Sequence, residues 1–217
     1  MSYFPFFINI ENKAALIAGG GKIAFRKALK LLPFNPILKV VSPNICSELQ
    51  NLALENNIEL IMREVTEKDI DNAFFVIAAT DNNEINSKIS EWCKNKCKLI
   101  NVVDDISKCS FIFPALIKEK DLSIGISTNG KNPETAKYLK EILQESLPEH
   151  IADAISALGC EREKIKNCVY DVKKRKLILS ELALYAQKSD FLFTSEDLAH
   201  YTNALLEKAN EVINEKN

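Results

Sequence analysis

This 217-residue chain has only two histidines. It also lacks a large excess of charge of either sign, since its formal net charge is −2 at pH 7. So balanced a charge provides no general attraction to nucleic acid or to an anionic membrane surface. No apolar run approaches the length of a membrane span, and residues 1–8 lack the basic segment of a signal peptide. We therefore expect a cytoplasmic protein that binds neither nucleic acid nor membrane.

A C-x-x-C motif is also absent, although the chain has six cysteines. Cys93 and Cys97 are four residues apart in a helical pattern and are expected to share one face of a helix. The two histidines, His150 and His200, are distant from them in sequence, so no metal site is predicted. Free thiols that are buried or half-buried are the favoured interpretation.

Three of the six glycines stand together in one turn, Gly19–Gly21. An apolar run at 14–18 precedes this turn, and a helical pattern follows it. In the pattern G-x-G-x-x-A, Gly19 permits a tight turn, Gly21 allows close approach of a pyrophosphate, and Ala24 keeps the helix near the sheet. The start of the helix offers unpaired N–H groups to an anion. The nucleotide-binding residues predicted here are Gly19, Gly20, Gly21, Lys22, Ile23 and Ala24.

Apolar runs alternate with helical patterns as far as residue 103. Strands are predicted at 14–18, 37–41, 58–62, 74–79 and 99–103, and helices at 22–32, 47–56 and 80–95. This alternation is typical of right-handed crossovers between the strands of a parallel sheet. The predicted fold class of this part is α/β, a Rossmann-like doubly wound parallel sheet.

The pattern changes after residue 105. Two strand-like runs predict a hairpin, and Asn132 and Pro133 follow it as the cap and first residue of a helix. The two runs of the hairpin are 111–117 and 122–127. The rest is helical by pattern, with breaks expected near Gly159 and at 189–195. The predicted regions are a nucleotide-binding domain, a small α+β region and a helical C-terminal domain, at 1–113, 114–147 and 148–217.

Four stretches of the chain form a series of motifs. They are G-G-G-x-[VI]-A-x-R-K at Gly19–Lys27, A-A-T-D-D-x-x-x-N at Ala78–Asn86, N-V-V-D followed by F-I-x-P-[AS] at Asn101–Asp104 and Phe111–Ala115, and I-S-[TS]-x-G-x-S-P at Ile126–Pro133. In this order they resemble the precorrin-2 dehydrogenase family, the oxidase and ferrochelatase module of siroheme synthases. Asn82, Asn132 and residues 34–36 depart from the family's usual residues, and the chain beyond residue 148 matches only in being helical.

The resemblance implies NAD-dependent oxidation of precorrin-2, a tetrapyrrole, to sirohydrochlorin, with Fe(II) insertion in some members. It also implies a homodimer built through the hairpin, whose apolar residues have no crossover partner in the sheet. Asp104 matches the family's functional aspartate and follows the fifth strand, at the edge where ligands of α/β sheets gather. We expect it to act as a base, with a capping or solvated turn residue as the alternative. The alternative function is a regulatory module that binds NAD(H) without chemistry.

Further candidate site residues follow the ends of other strands. Those expected to bind the cofactor are Ser42, Pro43 and Asn44 after the second strand, Thr80 and Asp81 after the fourth, and Asn101 in the fifth. Asp81 could equally cap the next helix. No acidic residue follows the second strand to bind a ribose 2′-hydroxyl, so the preference for NAD over NADP rests on the resemblance.

The carboxylates of a tetrapyrrole substrate call for cations and for turn N–H groups. The candidate substrate-binding residues are Arg26, Lys27, Thr128, Asn129, Gly130 and Lys131. Ordinary solvated surface is the alternative for the lysines among them.

Overall fold

A computed structural model describes residues 3–214 of the chain, with side chains as far as residue 208. The backbone divides into two compact units, Met1–Phe113 and Pro114–Asn217, called unit 1 and unit 2 below. Within the described residues, none of the helices combines the length and the hydropathy that a membrane crossing requires.

Unit 1 is built around a five-stranded parallel sheet with the strand order β3-β2-β1-β4-β5. Its strands are β1 (Ala14–Ala18), β2 (Ile37–Val41), β3 (Glu59–Ile61), β4 (Phe75–Ala78) and β5 (Leu99–Val102). Its α-helices are α1 (Lys22–Leu31), α2 (Ser47–Asn56) and α3 (Asn83–Asn95). The chain builds one half of the sheet outward from β1 and then crosses back to build the other half. The predicted Rossmann-like α/β fold is therefore confirmed.

The two central strands, β1 and β4, are almost entirely buried on both faces. Ile17 pairs with Val40 of β2 and with Ile77 of β4, and all three residues are completely shielded from solvent. Unbroken apolar strands of this kind are typical of parallel sheets that helices cover on both sides. Helices α1 and α2 pack on the face of Ile17, while α3 packs on the face of Leu16.

The ends of the elements in unit 1 are set by prolines and asparagines. Helix α1 stops before Pro33, and Asn35 adopts the left-handed conformation with φ of 51°. Helix α3 begins three residues later than predicted, because the side-chain oxygen of Asn82 accepts hydrogen bonds from two backbone N–H groups of its first turn. Cys97 lies beyond the end of α3 with φ of 53°, so the expectation that it shares a helical face with Cys93 is wrong.

All six cysteines are free thiols, as expected, but only three of them are buried or half-buried as predicted. Cys93 is buried, Cys46 and Cys109 are half-buried, and Cys97, Cys160 and Cys168 are exposed. Among the described residues, no group of three or more histidine, cysteine or acidic side chains is placed to hold a metal ion.

Unit 2 begins with an antiparallel hairpin and continues with helices. Its elements are β6 (Ala115–Glu119), β7 (Leu122–Ile126), α4 (Pro133–Ser146), α5 (Ile151–Cys168), α6 (Val172–Lys188) and α7 (Ser195–Asn214). Strand β6 begins four residues later than predicted, because Phe111 and Phe113 pack on the core of unit 1 instead. The break predicted near Gly159 is wrong, since α5 continues through this exposed glycine, whereas the break at 189–195 is confirmed.

A charged network involving Asp69 stabilises the connection between β3 and β4. The Arg63 guanidinium donates two hydrogen bonds of 2.7 Å to the Asp69 carboxylate, and the backbone N–H and hydroxyl of Thr66 donate two more. The side chain of Asp69 is only 4% exposed. The hydrogen bond from Arg63, supported by those from Thr66, holds the pKa of Asp69 far below its usual range.

We expect Asp69→Asn to destabilise the fold by about 1–2 kcal/mol at pH 7, because it weakens charge-assisted hydrogen bonds at a shielded side chain. The folded pKa lies below the unfolded value, so this stabilisation is complete above about pH 5 and is lost as the pH falls towards the folded pKa. Urea unfolding at pH 7 and pH 3 measures both values. The difference between wild type and Asp69→Asn should shrink at pH 3.

Asp71→Asn is the matched control, because Asp71 is half-exposed and pairs with Lys96 at the surface. Its effect should stay within about 0.5 kcal/mol. An equal loss in the two variants would contradict the role given to Asp69.

Candidate functional site

The glycine turn lies where the exits of three strands come together. Gly19 has φ of +122°, and a Cβ atom built on it would lie 2.2 Å from the carbonyl oxygen of Ala79, which follows β4. A Cβ atom on Gly20 would lie 2.0 Å from the carbonyl oxygen of Asn44, which follows β2. Side chains at these two positions would therefore push the three exits apart.

Gly21 differs from its neighbours because it faces open space. It is the N-cap of α1, and a Cβ atom on it would meet no atom within 4 Å. No side chain caps α1, and its first turn contains no acidic residue. The N–H groups of Lys22, Ile23 and Ala24 are therefore not capped by a side chain, and their helix end favours an anion. This uncapped, unobstructed turn fits the pyrophosphate of a dinucleotide.

The loop after β2 packs directly against the glycine turn. The N–H of Cys46 donates a hydrogen bond of 2.8 Å to the carbonyl oxygen of Gly20. The Ser42 hydroxyl donates one of 2.8 Å to the carbonyl oxygen of Asn44, while Pro43 and the Asn44 side chain are exposed. The structure thus brings Ser42, Pro43 and Asn44 beside the turn, as a cofactor site requires, with Ser42 shaping the loop from within.

Thr80 and Asp81 leave β4 on the other side of the same turn. Asn86 fixes Thr80 by accepting its hydroxyl at 2.7 Å and by donating to its carbonyl oxygen at 3.1 Å. This buried asparagine belongs to one of the sequence motifs, but only the folded chain reveals its contact with Thr80. Asp81 does not cap α3, since Asn82 does so, and its exposed carboxylate makes no hydrogen bond or ion pair with the described residues.

Asn101 in β5 is buried, and its side chain is bonded to protein groups. Its Oδ1 accepts a hydrogen bond of 3.3 Å from Lys27 Nζ, and its Nδ2 donates one of 3.1 Å to the carbonyl oxygen of Phe111. Its Nδ2 also lies 3.6 Å from Cys109 Sγ. The amide therefore joins β5, α1 and the segment before Phe113. Its assignment to the cofactor stays a prediction.

Lys27 is half-buried beneath an aromatic ring, and its surroundings differ from those of an ordinary surface lysine. Its Nζ lies 3.9 Å from the centre of the Phe113 ring, a cation–π contact. Its ammonium therefore faces protein groups, whereas the neighbouring Arg26 is exposed. Arg26 is thus better placed than Lys27 to reach a substrate carboxylate.

Asp104 and Asp105 follow β5 but differ sharply in their bonding. Asp105 accepts a hydrogen bond from the N–H of Ser107 and pairs with Lys108 at 2.6 Å, and this pair with Lys108 lowers its pKa. Asp105 is therefore the capping residue of the short helical turn that follows it. The exposed Asp104 carboxylate makes no hydrogen bond or ion pair with the described residues, and its backbone is left-handed with φ of 61°.

Cys109 holds the Asp104 turn in place, a role that its position in the sequence did not predict. Its Sγ accepts a hydrogen bond from the N–H of Val102 at 3.1 Å and lies 3.2 Å from the Val102 carbonyl oxygen. Burial raises the pKa of this thiol, so it remains neutral at physiological pH. These contacts hold the end of the 104–109 loop against Val102, the last residue of β5.

The remaining predicted site residues form the turn between β7 and α4 in unit 2. The Thr128 hydroxyl donates to the carbonyl oxygen of Asn132 at 2.9 Å, and Asn132 caps α4 as predicted by accepting from a backbone N–H of its first turn. Asn129 and Gly130 have φ of 53° and 74°, and Lys131 is exposed. This is an ordered turn with a cationic side chain available at its tip.

Comparison with known proteins identifies relatives along the whole chain. Residues 6–115 match a family model described as "Putative NAD(P)-binding". The siroheme synthase of Pseudoalteromonas translucida is 34% identical over 98% of this chain, which spans 46% of that protein. The siroheme synthase of Mannheimia succiniciproducens is 35% identical over 81% of this chain and 37% of that protein. The chain thus spans less than half the length of these relatives.

A solved structure, SirC, precorrin-2 dehydrogenase, aligns with 96% of this chain and with all of its own, at a TM-score of 0.75 and 21% identity. At 21% identity this alignment shows similarity of the fold alone. The family match covers the glycine turn and every strand of the parallel sheet. The resemblance predicted from the motifs is thereby confirmed, and the chain belongs to the NAD(P)-binding family.

Proposed function

We propose that the chain binds NAD at the glycine turn and oxidises precorrin-2 to sirohydrochlorin in siroheme biosynthesis. One observation supports this above the others: an uncapped helix start at Gly21 and an unpaired carboxylate at Asp104 lie at the same edge of one sheet. An NAD(H) sensor needs only the first of these. The names of the relatives, siroheme synthase and precorrin-2 dehydrogenase, agree with this reaction. The free cysteines agree with a reducing cytoplasmic location.

The reaction removes a hydride from a saturated carbon of the macrocycle and releases a proton. Bound NAD supplies the hydride acceptor. Asp104 accepts the proton on a carboxylate oxygen. This carboxylate makes no hydrogen bond with the described residues, so it is available to do so. The N–H groups at the start of α1 hold the pyrophosphate, and the Ser42–Asn44 loop and Thr80 flank it. The choice of NAD over NADP follows the resemblance, because no acid follows β2.

Arg26 and the Thr128–Lys131 turn are the groups that we assign to the substrate carboxylates. Arg26 is exposed on the second turn of α1, and Lys131 is exposed beside the uncommon backbone of Asn129 and Gly130. A guanidinium binds a carboxylate through two parallel hydrogen bonds, so Arg26 would orient the substrate as well as attract it.

We also infer a homodimer, formed through unit 2. Helix α4 exposes a row of apolar side chains, Tyr138, Leu139, Ile142 and Leu143, which are 62%, 39%, 42% and 38% exposed. These positions share one helical face. The hairpin beside α4 has only two strands, which are marginally stable without further packing. A second copy would cover both features.

Sedimentation equilibrium at micromolar concentration should give twice the 24.4 kDa mass of the chain. Leu143→Lys should shift the protein towards the monomer, because it places a charge within the apolar row. Leu54→Lys makes the same change at an exposed leucine of α2 in unit 1 and should leave the dimer intact. A monomeric wild type would refute the inferred assembly.

Gly21→Val should weaken NAD binding about 100-fold or more, because a branched side chain would occupy the space that the pyrophosphate needs. The fold should survive, since nothing lies within 4 Å of the added Cβ atom. Calorimetric titration with NAD and with NADP measures the loss and the cofactor preference. Gly159→Val is the control, because it also adds a side chain in open space, on α5. Unchanged NAD affinity in Gly21→Val would exclude the turn from the site.

Asp104→Asn should fold and bind NAD normally but oxidise precorrin-2 about 10²–10⁴-fold more slowly, because an amide cannot accept the proton. NADH absorbance in the presence of precorrin-2 and NAD measures the rate. Adding Fe(II) to the product tests whether the same base also serves metal insertion, in which case that activity should fall in parallel.

Asp105→Asn is the matched control for Asp104→Asn. It makes the same chemical change one residue along, at a carboxylate already bonded to Ser107 and Lys108. Its turnover should remain near that of wild type. Rapid oxidation by Asp104→Asn would mean that the base lies elsewhere. A wild type that binds NAD but never reduces it would favour the NAD(H) sensor.

A further inference from the structure

Asn86 is a buried polar residue of α3, and its side chain holds the backbone of Thr80. It is only 3% exposed. Its Oδ1 accepts a hydrogen bond of 3.2 Å from the Thr80 N–H, and its Nδ2 donates one of 3.1 Å to the Thr80 carbonyl oxygen. Asn86 is thus bonded to both backbone groups of one residue, as a partner in an antiparallel strand would be. The main chain at the exit of β4 is therefore fixed by this one amide.

The hydroxyl of Thr80 is also bonded within the protein. It donates to Asn86 Oδ1 at 2.7 Å and accepts a hydrogen bond of 3.2 Å from the N–H of Asn82. A threonine has two donors, its N–H and its hydroxyl, and Asn86 accepts from both of them. Thr80 therefore has no donor left for a pyrophosphate, although it lies beside the glycine turn. Its bonds determine the shape of this edge of the site.

The exit of β4 that Asn86 fixes lies directly against the glycine turn. The backbone nitrogen of Thr80 is 3.0 Å from the place where a Cβ atom on Gly19 would lie. Asp81 is the next residue, and its exposed carboxylate makes no hydrogen bond or ion pair with the described residues. A free carboxylate therefore follows a backbone position that Asn86 holds beside the turn.

The order of the strands indicates which part of a dinucleotide would meet Asp81. Strands β2 and β4 lie on opposite sides of β1. In Rossmann folds the pyrophosphate binds at the turn after β1, and the adenosine ribose lies at the end of β2. The nicotinamide half then extends over the end of β4. A carboxylate has only acceptors, so it repels the pyrophosphate but can accept hydrogen bonds from the two hydroxyl groups of the ribose on that side.

We propose that Asn86 is a positioning residue for the cofactor: through Thr80 it holds Asp81 where the Asp81 carboxylate accepts hydrogen bonds from the ribose hydroxyls on the nicotinamide side. The inference rests on the proposed binding of NAD. It gives Thr80 a structural role in place of the direct contact with the cofactor that was first expected. Asn86 itself touches neither cofactor nor substrate.

Three ligands of increasing length separate the parts of this site. ADP reaches only as far as the pyrophosphate, ADP-ribose adds the second ribose, and NAD adds the nicotinamide ring. Asp81→Asn should bind ADP-ribose and NAD about 10-fold more weakly, because it weakens charge-assisted hydrogen bonds, and should not lose affinity for ADP. Isothermal titration calorimetry on the full chain measures the three affinities. A loss confined to NAD, an equal loss for all three ligands or no loss at all would overturn the proposal.

Asn86→Ala should give the same pattern as Asp81→Asn, because nothing would then hold the backbone of Thr80. Asn82→Ala is the matched control. It removes the side-chain cap of α3 but keeps the backbone N–H that contacts the Thr80 hydroxyl. Both alanine variants should melt at a lower temperature than wild type. Only Asn86→Ala should lower the ratio of ADP-ribose affinity to ADP affinity, and a wild-type ratio in this variant would mean that Asn86 merely supports the fold.

Thr80→Val is a milder variant that decides the question even if Asn86→Ala does not fold. It keeps the shape of the side chain and both backbone hydrogen bonds to Asn86, and it removes only the hydroxyl. The affinity for ADP should stay at the wild-type value, while the affinity for ADP-ribose should fall severalfold. A fall in ADP affinity would make Thr80 a direct ligand of the pyrophosphate. That result, or an unchanged affinity for ADP-ribose, would overturn the proposal.

These affinities are independent of turnover, so the inference can be judged apart from the proposed reaction. If the variants give the expected pattern but wild type oxidises no precorrin-2, the dehydrogenase function fails and the positioning role of Asn86 stands. If wild type binds ADP-ribose no more tightly than ADP, the ribose contact fails whatever the activity. A wild type that binds none of the three ligands would refute both the cofactor site and the role of Asn86.

Discussion

The close approach of three backbone segments at Gly19 and Gly20 is the constraint on which the rest of unit 1 depends. Carbonyl oxygens of Ala79 and Asn44 occupy the space where two Cβ atoms would otherwise lie. Because those atoms are missing, the exits of β1, β2 and β4 converge. The next residue, Gly21, faces open space, so the compact sheet edge and the open start of α1 lie side by side.

The acidic residues of unit 1 differ in whether a cation pairs with them. Asp69 is paired with Arg63, and Asp105 is paired with Lys108. At the carboxyl edge of the sheet, the carboxylates of Asp81 and Asp104 have no ion pair among the described residues. Unpaired carboxylates at this edge are the reason why we propose that the reaction takes place there, since functional sites are where departures from local consistency are expected.

Much of the fold could be predicted because its signals are local. The apolar run at β1, the three glycines and the alternation of strands with helices follow from neighbouring residues, and the structure agrees with them. The prediction failed where distant contacts decide between local options. Gly159 could end a helix or continue it, and α5 continues because nothing requires its backbone to turn there. Phe111 could belong to a strand, but its ring packs against Phe75 in the core of unit 1.

The sequence by itself determined the α/β class, the glycine turn and the motifs that lead to Asp104, since each depends on residues close together in the chain. Only the tertiary structure decided which of these side chains are bonded to other groups of the protein. Asn101 and Lys27 are 74 positions apart, and no periodic pattern reveals that one accepts a hydrogen bond from the other. Likewise, Asp104 and Asp105 are chemically identical neighbours, yet of the two only Asp105 is bonded to other described residues. Contacts between distant residues arise from packing, which a linear pattern does not contain.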